Sequence, residues 1–380
     1  MQGKSIGQHM AASGYTNGFD YLRVILALAV VLGHSIVASG DPVATAIALG
    51  PVFGPFQASI LTMFFALSGF LVAGSLDRCR TLEGFATLRV LRIVPALAVE
   101  VLLSALILGP VMTELSLSEY FSSRSFYSYF LNIVGSIHFV LPGVFQNNPH
   151  PYIVNNSLWT IPYELECYIA LIVMAALTLF RRPKWFLAGS VLILLVVAVS
   201  IYAAGDREAL EGHLPGRLLV VAFLAGVTLY LFRNVIPRSG ALALACAVVA
   251  FVLMSIPYAK PFSVIPVGYL TVWLGLLNPR KIPLLFSGDY SYGLYLFAFP
   301  IQQVVASVPA LASWYTIFLI AAPAGLLYAA FSWHFVEKPV LERRKSAVAF
   351  VEGVGSTIRL KLSRLRRGGP REAASGQTGT

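Results

Sequence analysis

Long apolar stretches of this chain run without a single Asp, Glu, Lys or Arg, among them 24–40, 42–76, 185–205, 239–259, 261–279 and 290–336. A helix needs about 20 predominantly apolar residues to cross the hydrocarbon core of a bilayer. Inside that core every backbone amide must be satisfied within the chain, which leaves helices or closed barrels. Runs this long and continuous predict helices. Charged residues make up 12% of the 380-residue chain and hydrophobic residues 57%, whereas a soluble domain carries about 25% charged. A soluble globular protein, a disordered chain and a fibrous one are excluded. The fold class predicted is all-α: a polytopic membrane bundle.

The runs and their punctuation predict ten helices, near 20–39, 52–75, 93–113, 162–180, 185–203, 216–232, 240–256, 263–277, 286–306 and 312–335. A turn at 307–313, containing Pro309, divides the last run in two. Residues 126–145 are apolar but interrupted by Gly135, His138, Pro142 and Gly143, and read as an interfacial or re-entrant segment within a loop. Basic residues mark cytoplasmic loops. With both termini inside, 23 of the 27 Lys and Arg residues fall on the cytoplasmic side, leaving Arg124, Arg207, Arg217 and Lys260 outside. Ten crossings with both ends cytoplasmic satisfy this pattern, and an odd number scrambles it. The first span is read as uncleaved, because His34 interrupts its apolar run.

The chain divides into a cytoplasmic lead (1–18), a membrane domain (19–340) and a basic cytoplasmic tail (341–380). In the tail, 347–367 mixes apolar and basic positions. It is read either as lying on an anionic membrane surface or as a disordered basic tail that helps set topology. Residues 368–380 have a disordered composition. The net charge of +10 is distributed as membrane topology requires, so lipids rather than nucleic acid are the expected partner. Cys79, Cys167 and Cys246 are far apart, with no metal-ligand spacing. They read as free thiols, and no metal is expected.

Ionisable residues within spans are costly and mark candidate sites. The first helix has Asp20, Arg23 and His34. Eleven residues at about 100° each bring Arg23 and His34 to within about 20° of one face, separated by about 16 Å along the axis. The spacing predicts a charge pair, Asp20 with Arg23, at the cytoplasmic surface and an imidazole deep in the bundle. Arg89 and Arg92, one turn apart, open the third span and suit a phosphate or carboxylate. The fourth span opens with Ser157, Trp159, Thr160 as cap, Pro162, Glu164 and Tyr168. Glu164 and Tyr168 share a face, and Glu164 lies at a depth similar to that of His34. A histidine beside a buried carboxylate forms a general-base pair.

These segments, in this order, resemble the acyltransferase 3 family of membrane O-acyltransferases. The resemblance rests on FDYLRVILALAVVLGHS (19–35), FFALSGFLV (64–72), FATLRVLRIVPAL (85–97), SLWTIPYELECY (157–168), SYGLYLFAFPIQQ (291–303) and FVEKPV (335–340). Many members have a histidine where this chain has Ala298, so no catalysis is assigned to that motif. Ser291, Tyr292 and Tyr295 read as packing and anchoring, and Ser68 and Gly69 as close helix packing. The family implies transfer of an acyl group, usually acetyl, from a cytoplasmic thioester to a hydroxyl of a cell-surface or exported polysaccharide. On that reading acetyl-CoA or another acyl-CoA is the donor substrate, with no further cofactor. Arg23, Arg89 and Arg92 meet its phosphates. His34 acts as base, and Glu164 orients it. Asp20, Ser157, Trp159 and Tyr168 support the site. A bacterial inner membrane is the expected location. A structural or sensor membrane protein would leave the Asp20, Arg23 and His34 stripe idle; the other alternative is a transporter or flippase of lipid-linked sugars. It predicts internal repeats, and the sequence shows none.

Overall fold

The computed structural model describes residues 4–14, 16–203, 215–282 and 288–367. Helices dominate, and the described residues contain only two isolated β-bridges, Ser5 with Pro237 and Thr113 with Val144. The helices used below are α1 (Ile6–Ser13), α2 (Gly18–Ser39), α3 (Gly54–Arg78), α4 (Leu82–Leu103), α5 (Ile161–Ala176) and α6 (Pro183–Ala203). They continue with α7 (Gly216–Leu231), α8 (Gly240–Ser255), α9 (Val264–Gly275), α10 (Ser291–Ala306), α11 (Trp314–Ser332) and α12 (Arg344–Arg367). A helix stands at each of the ten expected positions.

Among the described residues, six helices are long and apolar enough to cross a bilayer: 18–39, 54–78, 82–112, 156–176, 183–203 and 314–342. α7 and α8 are apolar but shorter. Large apolar side chains stand exposed along the helices, including Ile25, Val90, Leu192, Leu244 and Leu327. A soluble surface would not carry so many, and a lipid-facing one does.

The tightest crossing joins α3 to α7. A Cβ at Gly69 would collide with the carbonyl of Phe223, and one at Gly226 with that of Ala66. Small residues on both faces let the backbones touch, as membrane helices favour. Gly69 therefore has the packing role expected of it. α2 packs against α10 and α11.

The third helix begins eleven residues before the expected start at 93. Thr81 caps it by accepting from the Gly84 amide, and Pro95 lies inside it. Glu83, Arg89 and Arg92 truncate the apolar window in the sequence, but contacts inside the protein hold the two arginines within a helix. The arginines accordingly sit two to three turns in. The segment 114–160 is a compact cap of short helices and irregular chain, with Tyr129, Leu141 and Val154 fully buried.

Both terminal extensions are built into the fold. α1 supplies amide donors near the end of α7: Ile6 to Ile236 O (3.0 Å) and Gly7 to Arg233 O (2.7 Å). Thr16 Oγ1 donates to Gly275 O at 2.6 Å. Helix C-termini leave carbonyls without partners, and the lead fills some of them. In the tail, α12 packs along α4, with Thr81 Oγ1 donating to Glu352 at 2.5 Å. The stretch 368–380, expected to be disordered, lies outside the described residues.

Candidate active site

One end of the bundle gathers arginines from several elements. Arg23 of α2 reaches Asp289 Oδ2 at 2.9 Å, and Arg92 of α4 reaches the same oxygen at 2.5 Å. Arg92 also reaches Glu337 at 2.9 Å, and its guanidinium lies 5.5 Å over the Tyr292 ring. Ser291 Oγ donates to the other oxygen of Asp289 at 2.7 Å. Asp289 precedes α10. Burial pushes its carboxyl up, but Arg92, Arg23 and Ser291 outweigh this and bring it down to about 2. The expected Asp20–Arg23 pair does not form: Asp20 faces Lys281 at 3.7 Å, because Asp289 captures Arg23.

Arg89 is different. It donates to Ser75 Oγ at 3.3 Å and lies beside the rings of Phe85 and Tyr168. Its Nε is buried without a hydrogen-bond partner, and among the described residues it has no ion pair.

Three cavities lie in series. At the arginine end, about 580 Å³ is lined by Arg23, Arg78, Arg89, Arg92, Arg344 and Tyr230, among others. It shares Arg23, Arg89 and Arg92 with a narrow neck of about 140 Å³ that also touches Glu164, Tyr168 and Tyr295. Tyr295 and Leu61 in turn border a chamber of about 680 Å³ that contains His34, Gln57, His150, Asn156 and Trp159. The eleven-residue spacing on α2 thus brings Arg23 to one end of the path and His34 to the other.

His34 Nδ1 lies 3.4 Å from Ser157 Oγ. Its ring meets the Phe299 edge at 5.2 Å between centroids, and His150 flanks Phe299 at 6.2 Å. Half-burial of His150, in the loop before α5, pushes its imidazole down, which favours the neutral form. Ser157 is held from several sides. Its amide donates to Asn155 Oδ1 at 3.0 Å, and its carbonyl accepts from Tyr295 at 3.1 Å.

The expected pairing of Glu164 with His34 is corrected. Glu164 accepts from the Tyr168 hydroxyl at 2.5 Å and lines the arginine-bearing neck, while Ser157 is the group on the imidazole. Similar depth does not imply the same azimuth, and the tyrosine one turn on shares Glu164's face. Thr160 makes no side-chain cap; its hydroxyl meets Tyr295 at 2.6 Å. The SYGLY segment also does more than pack, since Ser291, Tyr292 and Tyr295 line the neck.

The sequence alone does not single out Asp289, Glu337, Arg78, Arg344 or His150. Glu337 lies within the FVEKPV motif and Asp289 two residues before SYGLY, and those positions are the available signals.

The family model for an acyltransferase domain matches residues 16–333. The chain belongs to the acyltransferase 3 family. An O-acetyl transferase of Shigella phage Sf6 is 27% identical over 347 residues, covering 86% of this chain and 97% of that protein. Nodulation protein 10 of Rhizobium leguminosarum bv. viciae is 26% identical over 367 residues, covering 89% and 96%. No solved structure matches. This acyltransferase 3 protein is an integral, multi-pass membrane enzyme, and the transporter reading gives way.

Proposed function

We propose that this acyltransferase moves an acyl group, acetyl in the first instance, from a cytoplasmic acyl-CoA to a hydroxyl of a cell-surface or exported polysaccharide or glycolipid. The observation that carries this reading is the path from five arginines, through a neck, to an imidazole. Coenzyme A has phosphates at one end and a thioester at the other. Guanidinium groups suit the phosphates, and a slender neck suits the pantetheine arm. About 16 Å of rise along α2 separates Arg23 from His34. The larger chamber, with Trp159, His150 and Gln57 around His34, suits a polar ring with hydroxyls. The name of the phage relative supports acetyl as the transferred group.

The chemistry is as follows. His34 takes the acceptor's hydroxyl proton on Nε2, while Nδ1–H donates to Ser157 Oγ. The alkoxide oxygen attacks the thioester carbonyl, the C–O bond forms and the C–S bond breaks. The imidazolium returns its proton to the departing thiolate. General-base help of this kind contributes about 10²–10⁴-fold in rate. Glu164 with Tyr168 lines the route of the thioester arm rather than orienting the base.

The topology belongs to the same reading: ten crossings, both ends cytoplasmic, in a bacterial inner membrane. The basic-residue asymmetry and the ten helices support it. The test is mass spectrometry of surface polysaccharide from a strain lacking this protein, complemented with wild type or with His34→Ala. A lost acetyl mass restored only by wild type is the expected result. An unchanged acylation pattern in the deletion strain would remove the polysaccharide as acceptor.

A further inference from the structure

Glu100 sits within α4 and is fully buried. An ionisable side chain inside a span is retained only for a reason. Among the described residues it has no ion pair. Its Oε1 accepts from Ser104 Oγ at 2.9 Å and from Asn155 Nδ2 at 2.8 Å, while Oε2 is buried without a partner. Ser104 begins the π-helical turn that follows α4. Such turns are frequent at functional sites.

Asn155 continues the chain of contacts. It too is fully buried. Nδ2 also donates to Leu296 O of α10 at 2.7 Å, and Oδ1 accepts the Ser157 amide at 3.0 Å. Two fixed acceptors therefore orient the amide, and the amide fixes the first turn of 156–160. Ser157 Oγ then meets His34 Nδ1 at 3.4 Å. The path runs Glu100, Asn155, Ser157, His34, and draws on three separate stretches of chain.

We infer that Glu100 and Asn155 are positioning residues for acyl transfer. They hold Ser157 on Nδ1 of His34, and so leave Nε2 facing the chamber. This rests on the general-base reading of His34. Neither residue lines the three cavities, so neither is placed to touch donor or acceptor.

The test is steady-state kinetics of the full chain in detergent, with acetyl-CoA and the acetylated glycan or a hydrolysis readout. Glu100→Ala and Asn155→Ala should lower kcat about 10–100-fold and leave KM for acetyl-CoA within about twofold, since a residue acting through the base leaves donor binding alone. Glu100→Gln keeps an oxygen for Asn155 and Ser104 and should retain kcat within about threefold. In a Ser157→Ala background, Glu100→Ala should have little further effect, because interacting sites are not additive. Where Glu100→Ala fails to insert, Glu100→Asp, which withdraws the acceptor oxygen, replaces it with the same expected sign. Glu100→Gln as inactive as the alanine variant would overturn the acceptor role. Full additivity with Ser157→Ala, or normal kcat in Asn155→Ala, would overturn the pathway. An active His34→Ala enzyme would instead remove the base reading itself, which separates the two failures.

Discussion

Arg92 donates to Oδ2 of Asp289 at 2.5 Å, and Arg23 approaches that same oxygen from α2 at 2.9 Å. One carboxylate thus ties α2 and α4 together in front of α10. Arg92 is committed further by Glu337, whose side chain is only 2% exposed. The three arginines shared by the mouth and the neck therefore divide into two kinds: Arg23 and Arg92 are held by carboxylates, and Arg89 is not.

That division predicts opposite phenotypes for residues one turn apart. Arg92→Ala leaves a buried Glu337 without its cation. Breaking a buried pair by removing one partner costs about 3–5 kcal/mol, so this variant should show a large loss of thermal stability or of membrane-inserted protein. Arg89→Ala should insert normally and raise KM for acetyl-CoA about tenfold or more, as expected for a lost charge-assisted contact. Arg89→Lys should recover only part, since it keeps the charge and loses the planar fork. Thermal shift and donor titration on purified variants separate the two. Equal stability of both alanine variants would contradict the assignment.

The Asp289 cluster also sets an acid limit. Its carboxyl is brought down to about 2 in the folded protein, against about 3.9 for an unperturbed aspartate. A depressed value contributes stability that is fully present above the unfolded pKa and lost as pH falls through the folded one. The stability gap between wild type and Asp289→Asn should be constant from pH 7 to about 4. It should then narrow towards pH 2. Thermal midpoints measured across that range check this, and a gap that widens on acidification would have the wrong sign.

At Gly69 the Phe223 carbonyl occupies the space a Cβ would take. Gly69→Ala must push α3 and α7 apart, and overpacking of this kind costs about 1–3 kcal/mol. A lowered thermal midpoint is expected, with activity falling in proportion to folded protein. An unchanged midpoint would mean the two helices separate without cost.

Glu164 gives a graded prediction. Glu164→Gln keeps a hydrogen-bond partner for the Tyr168 hydroxyl and should slow turnover less than tenfold. Glu164→Ala opens the neck beside Arg89 and Arg92 and should raise KM for acetyl-CoA. A glutamine variant as inactive as His34→Ala would restore the carboxylate to the chemistry.

What could be read from sequence follows from which contacts are local. The eleven-residue interval from Arg23 to His34 lies on one helix, so helical geometry alone predicts their shared face; Arg23 lines the neck and His34 the chamber that follows it. Glu164 with Tyr168 is local too, one turn apart. Glu164 with His34 needed the rotation of α5 about its axis, which only tertiary packing sets. Asp289 and Glu337 look like ordinary charges at helix boundaries until α2 and α4 bring arginines to them. Glu100 satisfies the rule that selects His34, an ionisable residue within a span, but its partner Asn155 is 55 residues away on an irregular segment.

His34 is the sharpest test of the site. It is one of the two imidazoles lining the chamber, and Ser157 Oγ lies on its Nδ1. If Nε2 is the base, His34→Ala should insert normally and lose about 10²–10⁴-fold in rate, which a whole-cell acetylation assay reads as zero. His34→Gln offers a polar side chain that takes no proton, and should be equally inactive. Ser157→Ala keeps the base but frees its ring, so it should fall between these and wild type. A weaker effect on KM than on kcat is expected for all three, because donor phosphates are held at the other end of the path. Near-normal turnover by His34→Gln would leave the histidine as a binding group and move proton transfer to His150, the chamber's second imidazole.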